Sequence, residues 1–316
     1  MSPRPAILIY HPEVDEIWEG LRDAGIAADF LLAATYAQAL ELSAGADVLV
    51  ALDPEITEEL VASPRLRWIQ ALTSGMERVL GFSGLAGDVM LTSMRGAHGP
   101  QVSELAFLLM LSVARRFPAM VDNQRRRRWE HWRQPPLYRR TVTIVGVGAI
   151  AAAFAPRCKA FEMNVIGVDD RLTAAPFVDR IYPPAELHAA LAPADFVVLL
   201  VPHVPATHHL IDARALAAMQ RHAYLINVAR GAIVDETALI AALQNGTIAG
   251  AGLDVFATEP LPAESPLWTL DNVVITPHVG GNSTTYIRQL GETLEHNLRA
   301  FAEQRYGDLR NRIERG

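Results

Sequence analysis

Residues 141–151 read Thr141-Val-Thr143-Ile-Val-Gly146-Val-Gly148-Ala149-Ile150-Ala151, and a second apolar run, Val165-Ile-Gly-Val168, ends at Asp169, 21 residues beyond Gly148. A short run of β-branched residues before a turn is the mark of a strand buried on both faces. The G-x-G-x-x-A spacing that follows opens a segment of helical character and is a variant of the dinucleotide fingerprint. Its first glycine permits the tight turn, its second lets a pyrophosphate approach the backbone, and its third position packs helix on strand. Gly146, Gly148, Ala149 and Ile150 are therefore candidate cofactor contacts, with the helix N-terminus supplying N–H groups and a positive dipole end. Asp169 is placed to accept hydrogen bonds from ribose hydroxyls, which favours NAD, because a 2′-phosphate would meet a like charge there. Pro156 is a departure, expected to kink or shorten the helix.

Working outward, buried-strand runs continue at Phe196–Val201, Tyr224–Val228, Gly252–Val255 and Val273–Thr276. Upstream lie Ile7–Tyr10, Val48–Ala51, Trp68–Ala71 and Val89–Thr92, with helical spacing at Val14–Ala24 and Glu55–Ala62. Such alternation implies parallel sheets covered by helices on both faces, an α/β fold. Val102–Ala114 reads as a long buried helix bridging two units. Tyr286–Glu303 carries apolar residues at 287, 290, 294, 298 and 301, a stripe suited to covering the first unit. The expected architecture is two doubly wound parallel-sheet domains. A Rossmann domain, residues 99–282, is inserted into a flavodoxin-like substrate-binding domain made of 1–98 and the return segment 283–316.

The composition suits that architecture: 316 residues, 50% hydrophobic and 20% charged, are enough for two sizeable cores. No apolar stretch reaches the ~20 residues of a membrane span, and no signal-peptide pattern opens the chain, so the cytoplasm is the expected compartment. The single cysteine, Cys158, excludes an intrachain disulfide and a thiolate zinc cluster and reads as a small core residue; no metal is expected. A net charge of −7 opposes a nucleic-acid role. Arg125-Arg-Arg-Arg128 runs against that trend and reads as a solvated or subunit-contacting helix face.

Three later segments carry polar residues at the carboxyl ends of buried strands, where open α/β sheets bind ligands. They are Asn227-Val228-Ala229-Arg230-Gly231, Leu253-Asp254-Val-Phe-Ala-Thr-Glu259-Pro260 and Thr276-Pro-His278-Val-Gly280-Gly281. With Pro202, Thr207, Ala249-Gly-Ala-Gly-Leu-Asp-Val255 and Pro266-Leu-Trp268, these make the chain resemble the D-isomer-specific 2-hydroxyacid dehydrogenases. That group includes phosphoglycerate dehydrogenase, glyoxylate/hydroxypyruvate reductase and D-lactate dehydrogenase. The likeness runs through nearly all of the second unit. It is looser in the first, resting on Gln70-Ala-Leu-Thr-Ser74-Gly75 and Val102-Ser-Glu104.

The resemblance implies roles. Arg230 would hold the substrate carboxylate and keto oxygen with its planar fork of donors. His278 would be the general acid in reduction and the base in oxidation, with Glu259 fixing its tautomer and favouring its charged form. Asp254 would bind the nicotinamide carboxamide. Pro202, Thr207, Val228, Ala229, Arg230, His278 and Gly280 would line the cofactor, and backbone amides at Ser74 and Gly75 would complete the carboxylate site. The implied activity is hydride transfer between NAD(H) and a small 2-keto acid, with glyoxylate or hydroxypyruvate as first choices. The implied assembly is a homodimer, to which the apolar Val102–Ala114 helix and the Trp129–Pro136 arm contribute.

Two other readings compete with this one. A formate dehydrogenase-like activity pairs its histidine with glutamine, and Glu259 argues against it. A dinucleotide-sensing corepressor would have no need of the Arg-Glu-His set. Among the remaining histidines, His203 could approach the cofactor edge and His98 a hinge. His11, His131, His188, His208, His209, His222 and His296 are expected to face solvent.

Overall fold

The structure is a computed structural model describing residues 4–314. It divides into two compact units, one holding the chain up to His98 and everything from Ser283 on, the other Gly99–Asn282. The first is built on β1 (Ala6–Tyr10), β2 (Asp29–Ala33), β3 (Val48–Ala51), β4 (Trp68–Ala71) and β5 (Met90–Thr92). Between these strands lie α1 (Val14–Leu21), α2 (Tyr36–Ser43) and α3 (Glu77–Leu80). Every pairing is parallel and the order is β2-β1-β3-β4-β5, that of a flavodoxin-like sheet. β3 and β4 are buried along their whole length. The polar Gln70 is tolerated there because its Oε1 accepts from Thr92 Oγ1 at 2.7 Å and Asn297 Nδ2 at 2.8 Å.

The second unit begins with α4 (Gly99–Arg115) and α5 (Phe117–Arg125), followed by β6 (Thr141–Val145), α6 (Ala149–Ala160), β7 (Asn164–Val168) and β8 (Arg180–Tyr182). It continues through α7 (Leu187–Leu191), β9 (Phe196–Leu199), α8 (Ala213–Ala218), β10 (Tyr224–Asn227), α9 (Glu236–Gln244), β11 (Gly250–Leu253) and β12 (Val273–Ile275). The sheet is parallel throughout, in the order β12-β11-β10-β9-β6-β7-β8. This is the Rossmann order with one further strand, and it puts the topological switch between β6 and β9, where ligands of such sheets bind. Helix α4 lies wholly in this unit rather than spanning two, with Val102, Ala106, Leu109 and Met110 in its core beside the buried Cys158.

The chain then returns to the first unit as α10 (Tyr286–Ala302). Leu290, Leu294, Leu298 and Phe301 form its buried stripe and pack with Ile7, Ile9, Val48, Val50 and Trp68. The rings of Trp68 and Phe301 stack at 5.0 Å. Among the described residues no helix is long and apolar enough to cross a membrane.

Several local expectations are corrected. Residues 55–62 form no α-helix. A 3-10 turn at Asp53–Glu55 ends where Ile56 becomes extended (φ −77°, ψ 126°) to bury its side chain completely. β2 and β8 carried no strand expectation; both are edge strands, so their side chains are mostly only partly buried and the apolar signal is weak. Helix α6 is not shortened by Pro156 but runs four residues past it. The arginine run is not a helix face, because α5 stops at Arg125 and Arg127 is left-handed (φ 55°). His11 does not face solvent: it is 6% exposed and its Nδ1 accepts the Glu13 N–H at 3.0 Å. His296 is half-buried, bonded through Nε2 to the Asp308 carbonyl at 2.9 Å.

Candidate active site

β6 delivers the chain into the Gly146–Gly148 turn. Gly146 has φ +97°, and a Cβ there would lie 2.7 Å from Val201 Cγ1 and 2.8 Å from the Val201 nitrogen, so only glycine fits. At Gly148 the position of a Cβ is open, with nothing within 4 Å. Its side is therefore the approach a pyrophosphate needs, ahead of the first turn of α6, whose N-cap Gly148 offers no side-chain cap. Ala149 and Ile150 begin that turn, and Ala151 is 1% exposed against the strands, the packing role of the third fingerprint position.

Asp169 stands at the end of β7 beside this turn. Its Oδ2 accepts the Val147 N–H and its Oδ1 those of Arg171 and Leu172, all at 3.0 Å. Burial pushes its carboxyl up, but the three backbone donors and the Arg171 charge outweigh it and hold the group below its ordinary range. In the loop after β9, Thr207 Oγ1 accepts the Val204 N–H at 2.9 Å and lies 2.7 Å from the Pro202 carbonyl, so these two residues are tied to each other.

Asn227, 1% exposed at the end of β10, shapes the next loop: its Oδ1 accepts the Ala229 N–H at 3.1 Å and its Nδ2 donates to the Arg230 carbonyl at 2.9 Å. Arg230 itself gives Nη1 to the Ala229 carbonyl at 2.7 Å. A Cβ on Gly231 would fall 1.9 Å from the Phe256 carbonyl carbon, so this glycine lets the Phe256–Glu259 loop lie directly on the Arg230 loop. There Glu259 Oε1 accepts the Phe256 N–H at 2.9 Å and Oε2 meets His278 Nδ1 at 2.6 Å. Asn227 and Gly231 had no role assigned from the sequence; a strand-end Asn three residues before a buried-loop Arg was the available signal.

His278 adopts a left-handed φ of 51°, unusual for a residue with a Cβ. Asp254, 1% exposed, holds it there. Its carbonyl accepts the His278 N–H at 2.8 Å, while its carboxylate takes Thr276 Oγ1 at 2.6 Å and the N–H groups of Val279 and Gly280 at 2.9 Å. Gly280 is required by this embrace, since a Cβ would sit 2.9 Å from Asp254 Oδ2. Spending Nδ1 on a carboxylate leaves Nε2 as the nitrogen a ligand meets, the arrangement of an oriented general acid–base.

Ser74 and Gly75 lie in the first unit, in the loop after β4. Thr73 Oγ1 donates to the Gly75 carbonyl at 2.8 Å, Ser74 Oγ is 2.8 Å from His98 Nδ1, and the Tyr286 hydroxyl donates to the Leu72 carbonyl. The His98 ring lies 5.4 Å from that of Tyr286, tilted by 33°. His203 pairs with His208 at 3.2 Å in the loop after β9.

Residues 107–280 match the family described as D-isomer specific 2-hydroxyacid dehydrogenase, NAD binding domain. The chain is 35% identical over 266 residues to a glyoxylate reductase of Korarchaeum cryptofilum, covering 81% of this chain and 79% of that protein. A D-isomer specific 2-hydroxyacid dehydrogenase family protein from Aeromonas salmonicida superposes with a TM-score of 0.91 at 30% identity, over 99% of this chain and 100% of the other. An NADPH-dependent glyoxylate/hydroxypyruvate reductase from Sinorhizobium meliloti, solved with NADP and sulfate, gives 0.84 at 27% identity over 99% of each chain. With its parallel Rossmann sheet, its glycine turn and these likenesses, the chain belongs to the D-isomer-specific 2-hydroxyacid dehydrogenase family.

Proposed function

We propose that the protein reduces small 2-keto acids to D-2-hydroxy acids, glyoxylate or hydroxypyruvate foremost, with NADH preferred to NADPH. The observation carrying this reading is the 2.6 Å bond between His278 Nδ1 and Glu259 Oε2, in loops locked to that of Arg230. The open position at Gly148 and the uncapped start of α6 fit a dinucleotide, held by Gly146, Gly148, Ala149, Ile150, Asp169, Pro202, Thr207, Val228, Ala229, Asp254 and Gly280. When bound, a reduced nicotinamide supplies the hydride. Arg230 binds the substrate carboxylate and keto oxygen through paired N–H donors. His278 Nε2 gives its proton to the carbonyl oxygen as charge develops there, and removes it in the reverse direction.

The preference for NADH rests on Asp169. Two like charges ~4 Å apart at an effective dielectric near 20 repel by about 4 kcal/mol, roughly 10³-fold. Arg171, the cation that could offset this, stands 3.7 Å from Asp170. The Sinorhizobium meliloti reductase is NADPH-dependent, so NADPH is the cofactor to compare with NADH. A homodimer is the proposed assembly, supported by exposed Leu108 and Phe117 and by Trp129 at 90% exposure. Assays of 2-keto acids with NADH and NADPH test the activity: at least about a tenfold advantage in kcat/KM for NADH is expected, and no turnover with either cofactor overturns the proposal. Light scattering tests the dimer.

A further inference from the structure

We infer that Glu236 is a positioning residue for the Glu259–His278 pair, holding in place, through the Ala257 N–H, the loop that carries Glu259. The inference rests on the reductase reading of that pair and lies wholly within Gly99–Asn282. Glu236 opens α9, and its Oε2 accepts the Ala257 N–H at 3.0 Å. The residue before Ala257, Phe256, gives its N–H to Glu259 Oε1 at 2.9 Å. Two successive backbone donors of the loop after β11 are thus taken by two carboxylates. One belongs to the loop itself and meets His278 Nδ1 with its other oxygen. The second comes from a helix.

That helix gives the loop a fixed reference. Asp235 caps α9 by accepting the Ala238 N–H at 3.0 Å, and Leu239, Ala242 and Leu243 bury the helix in the core of the second unit. Between Arg230 and Glu236 lies the 3-10 turn Gly231–Ile233, and Gly231 presses on Phe256. One segment therefore grips the loop at two consecutive residues, by close contact at Phe256 and by a hydrogen bond at Ala257. Residues 257–260 are exposed, so packing does little to hold them. Water can satisfy the Ala257 N–H if the Glu236 carboxylate is withdrawn, but water cannot hold it to α9. A loop so released moves Glu259, and a displacement of about 1 Å in catalytic geometry can cost ~10²-fold in rate. An acid in the first turn of a helix also stabilises it through the macrodipole alone, and two substitutions separate that role from positioning.

Glu236→Asp keeps the charge at the helix start but is one methylene short of the loop. Glu236→Gln keeps the reach and an acceptor oxygen but loses the charge. Both are compared with wild type, alone and combined with Glu259→Gln, by melting curves and by kinetics on glyoxylate and hydroxypyruvate at saturating NADH or NADPH. Glu236→Asp should lower kcat about 10- to 100-fold, with KM little changed, and Glu236→Gln should restore most of the rate. In the Glu259→Gln background Glu236→Asp should cost no more than about twofold, since residues that act through one another are not additive. Equal losses of kcat in the two variants, or an effect of Glu236→Asp that survives in full without Glu259, overturns the inference. Wild-type kcat in Glu236→Asp, with only Glu236→Gln melting lower, reduces Glu236 to a charge at the helix start and overturns it too. A wild type that turns over neither acid overturns the reductase reading, and the inference with it.

Discussion

Glu259 holds His278 with one carboxylate oxygen, at 2.6 Å, and the Phe256 N–H with the other, at 2.9 Å, so the imidazole is oriented by a group that is itself anchored. Glu259→Gln preserves the shape but presents an amide that donates as well as accepts, and the tautomer of His278 is no longer dictated. General acid–base catalysis contributes ~10²–10⁴-fold, so kcat for keto acid reduction should drop by roughly 10- to 10³-fold with KM little changed. Steady-state kinetics at one pH suffice; a wild-type kcat would reduce Glu259 to a loop anchor.

Arg230→Ala should lower kcat/KM for keto acids by roughly 10²–10⁴, since hydrogen bonds to charged groups are worth ~1.5–3 kcal/mol each. Cofactor affinity should change far less. An equal loss of both, measured by fluorescence titration and initial rates, would remove Arg230 from the substrate site.

Asn227→Ala separates positioning from contact. It leaves the Ala229 N–H and the Arg230 carbonyl without their side-chain partners at a position 1% exposed. A cost of about 1–3 kcal/mol in unfolding free energy is expected, together with a raised KM for the keto acid as the Arg230 loop relaxes. Denaturant melts and kinetics on one preparation check both, and a stability loss with wild-type KM would show that the loop keeps its shape unaided.

At Asp169 a single carboxylate serves loop and proposed cofactor choice together. Asp169→Ser should relax the preference toward NADPH and also lose backbone partners to Arg171 and Leu172. Because the folded group titrates below its unfolded value of ~3.9, its stabilisation is complete above that pH and disappears as pH falls through the folded value. The variant should therefore melt below the wild type at neutral pH, and the gap should close in strong acid. A wild type using NADPH as well as NADH would assign control of the pocket to Arg171 instead.

His11 gives a second pH dependence with its own window. Burial holds this imidazole below its ordinary range, against the opposing charges of Glu13 and Glu16. The folded state binds the proton less tightly than the unfolded chain, so the contribution is intact above ~6.5 and is lost as pH falls through the folded value. Protonated Nδ1 could no longer accept the Glu13 N–H. Between about pH 7 and pH 5.5, where carboxylates stay ionised, the melting temperature of wild type should fall more than that of His11→Asn. Parallel curves would refute this.

What the sequence alone conveyed follows burial. β3 and β9 are continuous apolar runs, and β4 and β10 are apolar but for Gln70 and Asn227, because both faces are covered, and all four are legible as strands. β2 and β8, half-covered at the sheet edges, were not. Ile56 misled because one buried side chain decides the backbone there, whatever helical spacing surrounds it. Gly146 was readable from its turn, while Gly231 was not, for its reason is a loop distant in sequence that presses on it. Asn227 belongs to the same class, for it matters through the backbone groups it satisfies.

The discontinuous first unit sets an order on the ribosome. Its strands emerge first, yet Leu290, Leu294, Leu298 and Phe301, which cover Ile7, Ile9 and Trp68, are made only after all of Gly99–Asn282. Domains fold as units while synthesis proceeds at ~5–20 residues per second. The nascent first sheet must therefore wait, with one apolar face covered only in part by Val14, Ile17 and Leu21 of α1, while the inserted domain completes itself. Premature termination after the inserted unit is complete but before α10 is made yields a folded Rossmann unit joined to a sticky, unfinished partner, a natural client for chaperones and proteases.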